Sequence, residues 1–190
     1  MKLKSEERRN AILSAATEVV AERGVGATTA AIAAAAAVGE GSLFTYFKNK
    51  DELLNLLYRE IKLDLANAMM SGFPRRLSAR RRLEHVWNRY VTWGIENPAQ
   101  NRALRQIEMW SGLTDESRAA GSAPFLEIRQ MADEAAEKRL LRDVPRELIG
   151  AAVAALAQMT MELLGTNPDK ALEYRQAGFE MLWGAIARKG

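Results

Sequence analysis

The chain has 190 residues, a formal net charge of +3 at pH 7, no cysteine and a single histidine. Its length suffices for one or two domains with a hydrophobic core, and its modest positive charge permits nucleic-acid binding without requiring it. The absence of cysteine excludes disulfides, thiolate metal sites and cysteine nucleophiles, and one histidine excludes a histidine-rich metal cluster.

The first predicted helix covers residues 5–23 and carries an apolar stripe that includes Ile12, Ala16 and Val19. Gly24 follows it, where a glycine suits a helix C-cap. Basic residues precede or open this helix: Lys2, Lys4, Arg8 and Arg9. They either add contacts to nucleic-acid phosphates or form a solvated terminus, and the sequence leaves both interpretations open.

Residues 28–51 have the pattern of a short helix, a tight turn, a second short helix and the start of a third. Thr28 can cap the first helix by accepting a hydrogen bond from a backbone N–H in its first turn. Leu43 and Phe47 repeat at helical spacing in the second helix and are predicted to face inward. Two helices joined by about three or four residues form a helix-turn-helix, whose second helix enters the DNA major groove.

This stretch resembles the N-terminal DNA-binding domain of the TetR (tetracycline-repressor-like) family. The matching residues are Ile32, Ala33, Ala36, Val38, Gly41, Ser42, Leu43, Phe44, Tyr46, Phe47, Lys50, Asp51 and Leu53. The resemblance implies an all-α protein with a DNA-binding domain over residues 1–50 and a linking helix over 49–71. Residues 51–190 would then form a helical domain for ligand binding and dimerisation.

The resemblance also implies which side chains contact DNA. They are Thr28, Thr29, Glu40, Gly41, Ser42, Thr45, Tyr46, Lys48 and Lys50. Glu40 is expected to accept from a cytosine amino group, and the Thr45 methyl group to contact a thymine. Thr28, Tyr46 and the two lysines would contact phosphates and fix the register.

Several residues depart from the family pattern. Ala37 stands where the family usually has a turn glycine with positive φ, which predicts a strain of about 1 kcal/mol unless Gly39 adopts that conformation instead. Gly39 replaces the usual serine cap. Phe44 replaces a tyrosine whose hydroxyl commonly contacts a phosphate. Seven of the eight residues 30–37 are alanine, so charged side chains are missing there and DNA affinity is expected to be reduced.

Beyond residue 49 every segment is predicted to be helical, which gives the whole chain about nine helices and no strands. Asn49 and Glu52 have the spacing of a capping box at the start of the linking helix. An arginine cluster at residues 75–82 is predicted to be a solvated helix start in preference to a nucleic-acid patch. The apolar run at 148–164 is too short and too interrupted for a membrane span, and we interpret it as a buried helix.

The last two predicted helices are apolar on two faces, which favours pairing with a second copy as a four-helix bundle. The predicted interface residues are Ala151, Ala155, Gly178, Met181, Leu182 and Ala185. The alternative is a monomer in which these helices form a central core. The TetR resemblance implies the dimer.

Aromatic residues and methionines in the middle of the chain are the candidates for a ligand pocket. They are Trp87, Tyr90, Trp110, Phe125, Met131 and Met159. For each of them, ordinary core packing is the competing interpretation. His85 lies among them and is expected to be a structural residue, not a ligand sensor.

We therefore expect a cytoplasmic, homodimeric transcriptional regulator with no catalytic residues, metal, cofactor or membrane segment. It is predicted to repress a palindromic double-stranded DNA operator and to be released by a small apolar or aromatic ligand. Two alternatives remain open. One is a DNA-binding protein controlled by a protein partner without small-molecule input. The other, suggested by Ala37, Phe44 and the alanine run, is a helical ligand-binding protein that has lost DNA binding.

Overall fold

The structure, a computed structural model, describes residues 2–188, with side chains from residue 5 onward. The α-helices in this range are α1 (Lys2–Arg23), α2 (Thr29–Ala35), α3 (Glu40–Tyr46), α4 (Lys50–Met70), α5 (Ala79–Glu96), α6 (Pro98–Glu108), α7 (Asp115–Ser122), α8 (Leu126–Glu137), α9 (Arg146–Thr166) and α10 (Ala171–Ile186). Two 3-10 helices, Ala123–Phe125 and Pro168–Lys170, join neighbouring helices. Within 2–188 the β-type pairing is one isolated bridge, Leu141 to Ala187. The predicted all-α class is confirmed.

The first compact unit combines Met1–Asp64 with Asn97–Pro124. Its buried side chains include Ile12 of α1, Ile32 of α2 and Leu43 of α3. Helix α6 packs along α1, and Gln106 Nε2 donates to the Ala21 carbonyl at 3.4 Å. Because α6 packs along α1 and α7 belongs to the same unit, this compact unit does not end near residue 50. The predicted functional boundary at residue 50 stays a prediction.

A buried polar network fastens α4 to the segment that leads into α7. The Asn55 amide donates to the Gly112 carbonyl at 3.0 Å and accepts from the Thr114 backbone N–H at 3.0 Å. One turn further along α4, Arg59 Nε donates to the Ser117 hydroxyl at 3.1 Å. Because both ends of the Asn55 side chain are paired, removing it would leave the partly buried Gly112 carbonyl and Thr114 N–H without these partners.

The second compact unit combines Leu65–Glu96 with Phe125–Gly190. Trp87 of α5 is fully buried at its centre, and its indole N–H donates to the Arg175 carbonyl at 3.0 Å. A Cβ on Gly178 would lie 2.5 Å from Thr160 Oγ1 and 2.8 Å from the Trp87 ring. The missing side chain at Gly178 therefore lets α10 approach α5 and α9 closely.

Helix α9 is buried along one face, so the prediction that residues 148–164 form a buried helix is wrong for the single chain. Leu148 is 59% exposed, and Met159 and Leu163 are each 39% exposed. The reason is that α9 has neighbours, α5 and α10, on one side of the helix. Among residues 2–188, α9 is the one helix that is long and apolar enough to cross a membrane. Only 22% of its apolar stretch is buried within the chain. An exposed apolar face of this kind also suits an oligomer interface.

Four of the five arginines of residues 75–82 pair with carboxylates inside the second unit. The pairs are Arg75–Glu127, Arg80–Glu180, Arg81–Glu84 and Arg82–Glu134. The glutamate beside Arg75 raises the pKa of that guanidinium above its usual value. These charges are used within the fold, which favours the predicted helix start over a nucleic-acid patch.

Candidate nucleic-acid interface

The helix-turn-helix begins with a capped α2. The Ala31 backbone N–H donates to Thr28 Oγ1 at 3.2 Å, and Thr28 itself has extended backbone angles. The predicted N-cap is therefore confirmed. Ile32 and Ala33 are buried at 0% and 2% exposure, and they anchor the short helix against the core of the first unit.

The turn between α2 and α3 contains a non-glycine residue in the left-handed region. Ala37 has φ of +54°, whereas Gly39 has φ of −69° and an extended ψ. The predicted strain at Ala37 is thus present, and Gly39 does not relieve it. An L-residue with a Cβ in this region costs about 1–2 kcal/mol. Gly39 occupies the N-cap of α3 and supplies no side-chain hydrogen bond there.

Helix α3 is held by two buried side chains and presents its other residues to solvent. Leu43 and Phe47 are 0% and 1% exposed. The residues predicted to contact DNA on this helix, Glu40, Gly41, Ser42 and Thr45, are all exposed, and Tyr46 is half-buried. Phe44 is 46% exposed. The inward and outward faces of α3 are those predicted from the spacing.

Hydrogen bonds order part of this exposed face. Thr29 Oγ1 donates to Glu40 Oε1 at 2.6 Å, which joins the first residue of α2 to the first residue of α3. Thr45 Oγ1 donates to the Gly41 carbonyl at 3.4 Å. The sequence pattern did not predict the Thr29–Glu40 contact, because the two residues are eleven positions apart and only the packing of α2 on α3 brings them together.

The start of α4 fixes the two lysines at the edge of the exposed face. Glu52 N donates to Asn49 Oδ1 at 2.8 Å, and the Glu52 carboxylate accepts from the Lys48 backbone N–H at 2.5 Å. The predicted capping box is confirmed, with the difference that Glu52 reaches the N–H of Lys48 instead of that of Asn49. The backbone on both sides of Lys50 is therefore held in place.

The N-terminal basic residues have different surroundings. Arg9 pairs with Glu60 of α4 at 3.3 Å, whereas Arg8 is exposed. The side chains of Lys2 and Lys4 lie outside the described residues. The choice between phosphate contacts and a solvated terminus stays a prediction.

These features agree with one family of known proteins. The sequence model described as bacterial regulatory proteins, tetR family, matches residues 12–57, a segment that contains α2, the turn and α3. Residues 12–57 therefore match the DNA-binding domain of the tetR family, as the sequence predicted.

Further similarities are to one relative by sequence and to two solved structures by fold. The HTH-type transcriptional regulator YhgD of Bacillus subtilis is 39% identical over 75 residues, which are 37% of this chain and 39% of that protein. A tetR family regulator from Shewanella sp. PV-4 has a TM-score of 0.86 at 24% identity, covering 96% of this chain and 99% of that one. LfrR from Mycobacterium smegmatis, solved in complex with proflavine, has a TM-score of 0.67 at 22% identity, covering 96% and 99%. These two structures establish a shared fold.

The six residues predicted to bind a ligand are divided between the two compact units. Trp110 lies in the first unit, where it lines an open cleft of about 850 Å³ together with Arg102, Arg105 and Met109. The other five belong to the second unit. Their surroundings range from the core (Trp87 and Met131) through half-buried positions (Tyr90 and Phe125) to the surface (Met159). Their role in ligand binding stays a prediction.

The predicted dimer residues fall on two different faces. Ala151, Ala155, Met181 and Ala185 are exposed. Gly178 and Leu182 instead face the core of their own unit, so placing them on the outward face was wrong. The buried stripe of α10 consists of Gly178, Phe179, Leu182 and Ile186. These residues repeat every three or four positions, so the sequence alone could have indicated this stripe. Three exposed leucines were missed: Leu148, Leu163 and Leu172.

Among the described residues, no group of three or more His, Asp or Glu side chains is arranged to hold a metal ion.

Proposed function

We propose that the exposed face of α3 binds the DNA major groove and reads an operator, and that the chain acts as a repressor. The observation that carries this proposal is the arrangement of α3 itself. Leu43 and Phe47 are buried while Glu40, Ser42 and Thr45 are exposed, as an inserted recognition helix requires. Thr28, Lys48 and Lys50 flank the face and are suited to phosphate contacts.

We also propose that two copies pair through the outer faces of α9 and α10. The exposed apolar side chains there are Leu148, Met159, Leu163, Leu172 and Met181. Small residues between them, Ala151, Ala155 and Ala185, would let the helices of two copies approach closely. A two-fold dimer would place two α3 helices about 34 Å apart, or a multiple of that, and so select a palindromic operator.

The third part of the proposal is release of DNA by a small apolar or aromatic molecule bound in the second unit. The related structure of LfrR with proflavine supports this class of ligand. Binding would have to favour one spacing of the α3 helices over another, with α4 as the connecting element. Without such a difference in affinity the ligand could not change DNA binding.

A second candidate is a DNA-binding regulator without small-molecule input. Trp87 supports it, because its ring is 0% exposed and its N–H is already bonded to the Arg175 carbonyl. The most prominent of the predicted ligand residues is thus part of a packed core. A protein partner would then supply the regulatory signal.

The test measures binding of the protein to the DNA duplex that lies upstream of its own coding sequence. Fluorescence anisotropy of the labelled duplex reports the binding. Binding should weaken with salt and should be lost when Thr45, Tyr46 and Lys50 are replaced together by alanine. Affinity that is unchanged by this triple replacement would contradict the proposed recognition face. Alanine replacement of Arg75, Arg76 and Arg81, which lie in the second unit, is the matched control and should leave binding near the wild-type value.

The dimer is tested by light scattering of Met181→Glu, which places a charge on the exposed α10 face. We expect a monomer, and a variant that remains a dimer would contradict the proposed interface. Proflavine is the first ligand to titrate. If it raises the thermal midpoint but leaves operator affinity unchanged, ligand-induced release is wrong and the second candidate is favoured.

A further inference from the structure

A hydrogen bond between Thr29 and Glu40 lies at the edge of the α3 face that is proposed to bind the operator. The Thr29 hydroxyl lies 2.6 Å from Glu40 Oε1, and this hydrogen bond ties the first turn of α2 to the first turn of α3. The Glu40 side chain is exposed and Thr29 is half-buried. The carboxylate is therefore held at the edge of the face that the proposed function assigns to DNA.

The two adjacent threonines differ in what their hydroxyl groups can still do. A threonine hydroxyl has one proton to donate and two lone pairs to accept with. Thr28 accepts from the Ala31 N–H, so its proton remains available for a phosphate oxygen. Thr29 gives its proton to Glu40. A phosphate carries no proton to donate at neutral pH, so Thr29 cannot contact it without giving up the carboxylate.

We propose that Thr29 is a positioning residue that holds the Glu40 carboxylate for recognition of a cytosine, and that it does not contact a phosphate. The proposal rests on the proposed function of α3. It changes one of the DNA contacts predicted from the sequence into an internal contact. It also makes Glu40 the residue that determines the base at one position of each half-site.

The charge of Glu40 restricts what it can recognise. It is the single charged residue of α3, and a carboxylate can only accept hydrogen bonds. Phosphates repel it, and the acceptor atoms of guanine and thymine in the major groove offer it no hydrogen bond. Adenine offers its N6 amino group, but the adjacent N7 acceptor faces the carboxylate without a proton between them. The cytosine N4 amino group is the donor that acidic side chains typically bind.

Fixing the carboxylate strengthens this discrimination. A free glutamate side chain could rotate away from an unfavourable base, which would weaken the preference. The hydrogen bond from Thr29 opposes that rotation and leaves Glu40 Oε2 to accept from the base. A duplex with another base at this position then faces an unpaired, buried carboxylate, which is costly.

The experiment is selection of sequences from a randomised duplex library by the full-length protein and its variants. The wild type should prefer cytosine at one position of each half-site, by roughly five- to hundredfold over other bases. Glu40→Ala and Thr29→Val should both flatten the preference at that same position. Thr29→Ser keeps the hydroxyl and should retain it. Glu40→Gln should shift it toward adenine, whose N6 and N7 match an amide.

Two controls define the mechanism. Ser42→Ala should change a different position of the selected site and leave the cytosine preference intact. Thr29→Val added to Glu40→Ala should have no further effect on the preference, because the valine removes a contact that the alanine has already removed. Helical circular dichroism and light scattering should match the wild type for every variant, because Glu40 is exposed, Thr29 is only half-buried and valine has nearly the shape of threonine.

Two results would overturn the proposal. If Thr29→Val weakens binding by the same factor for all sequences and leaves the base profile unchanged, Thr29 is a phosphate contact. If Glu40→Ala keeps the cytosine preference, Glu40 does not read it. Both results leave the proposed function intact. A wild-type protein that selects no sequence from the library would instead refute the proposed function, and this inference with it.

Discussion

Replacement of Ala37 by glycine should stabilise the first unit, because Ala37 is held in a left-handed conformation with φ of +54°. That conformation costs an alanine about 1–2 kcal/mol. Glycine avoids this cost but loses about 0.5–1 kcal/mol more backbone entropy on folding. The difference predicts a net gain of about 0.5–1 kcal/mol for Ala37→Gly.

Urea unfolding followed by circular dichroism measures this gain, with Ala36→Gly as the matched control. Ala36 has φ of −79° and ψ of −2°, which an alanine adopts without strain. The control should therefore lose about 0.5–1 kcal/mol, the usual cost of glycine near a helix end. Opposite signs at two adjacent alanines would identify the strain. A loss at Ala37 equal to that at Ala36 would refute the left-handed turn.

Three further outcomes are expected. Gly39→Ser should add the missing cap of α3 and raise the urea midpoint slightly, by about 0.3 kcal/mol in unfolding free energy. Phe44→Tyr should tighten operator binding by roughly tenfold in anisotropy titrations, because it adds a hydroxyl that can donate to a phosphate, worth about 1.5 kcal/mol. Burial, reinforced by Glu108, raises the pKa of Tyr58 above 10.0. The folded chain thus favours the neutral phenol of Tyr58. Its contribution to the free energy of unfolding is fully present below the pKa of the unfolded chain and is lost as the pH rises through the pKa of the folded chain. Tyr58→Phe should remove this alkaline loss in urea unfolding curves.

The helix-turn-helix could be predicted in detail because its signals are local. The Thr28 cap, the inward pair Leu43 and Phe47, and the Asn49–Glu52 capping box each depend on residues at most four apart in sequence. Ala37 could be predicted to be strained because the TetR resemblance implies a turn glycine with positive φ at that position. None of these features requires knowledge of how distant helices pack.

Features that depend on distant packing were harder to predict. The Thr29–Glu40 hydrogen bond and the Asn55 network join residues 11 and 57 or more positions apart. The two faces of α10 were assigned incorrectly for Gly178 and Leu182, because both faces are apolar and the spacing alone does not say which one meets α5. The aromatic residues at 87, 90 and 110 could not be separated into core and cleft for the same reason.

Because the alanine-rich α2 has no charged side chains, we expect the DNA affinity of each copy to be low and the proposed dimer to add to operator binding. Per copy, the cations placed beside α3 are Lys48 and Lys50, and no charged side chain lies between residues 30 and 37. Two phosphate contacts correspond to a salt slope of roughly −2, and two copies to roughly −4. One copy alone would therefore bind weakly at cellular salt. In the proposed dimer both copies engage the same duplex, so the exposed leucines of α9 and α10 would contribute to operator affinity together with α3. Met181→Glu should accordingly reduce both operator affinity and the salt slope, although it leaves the residues of α3 unchanged.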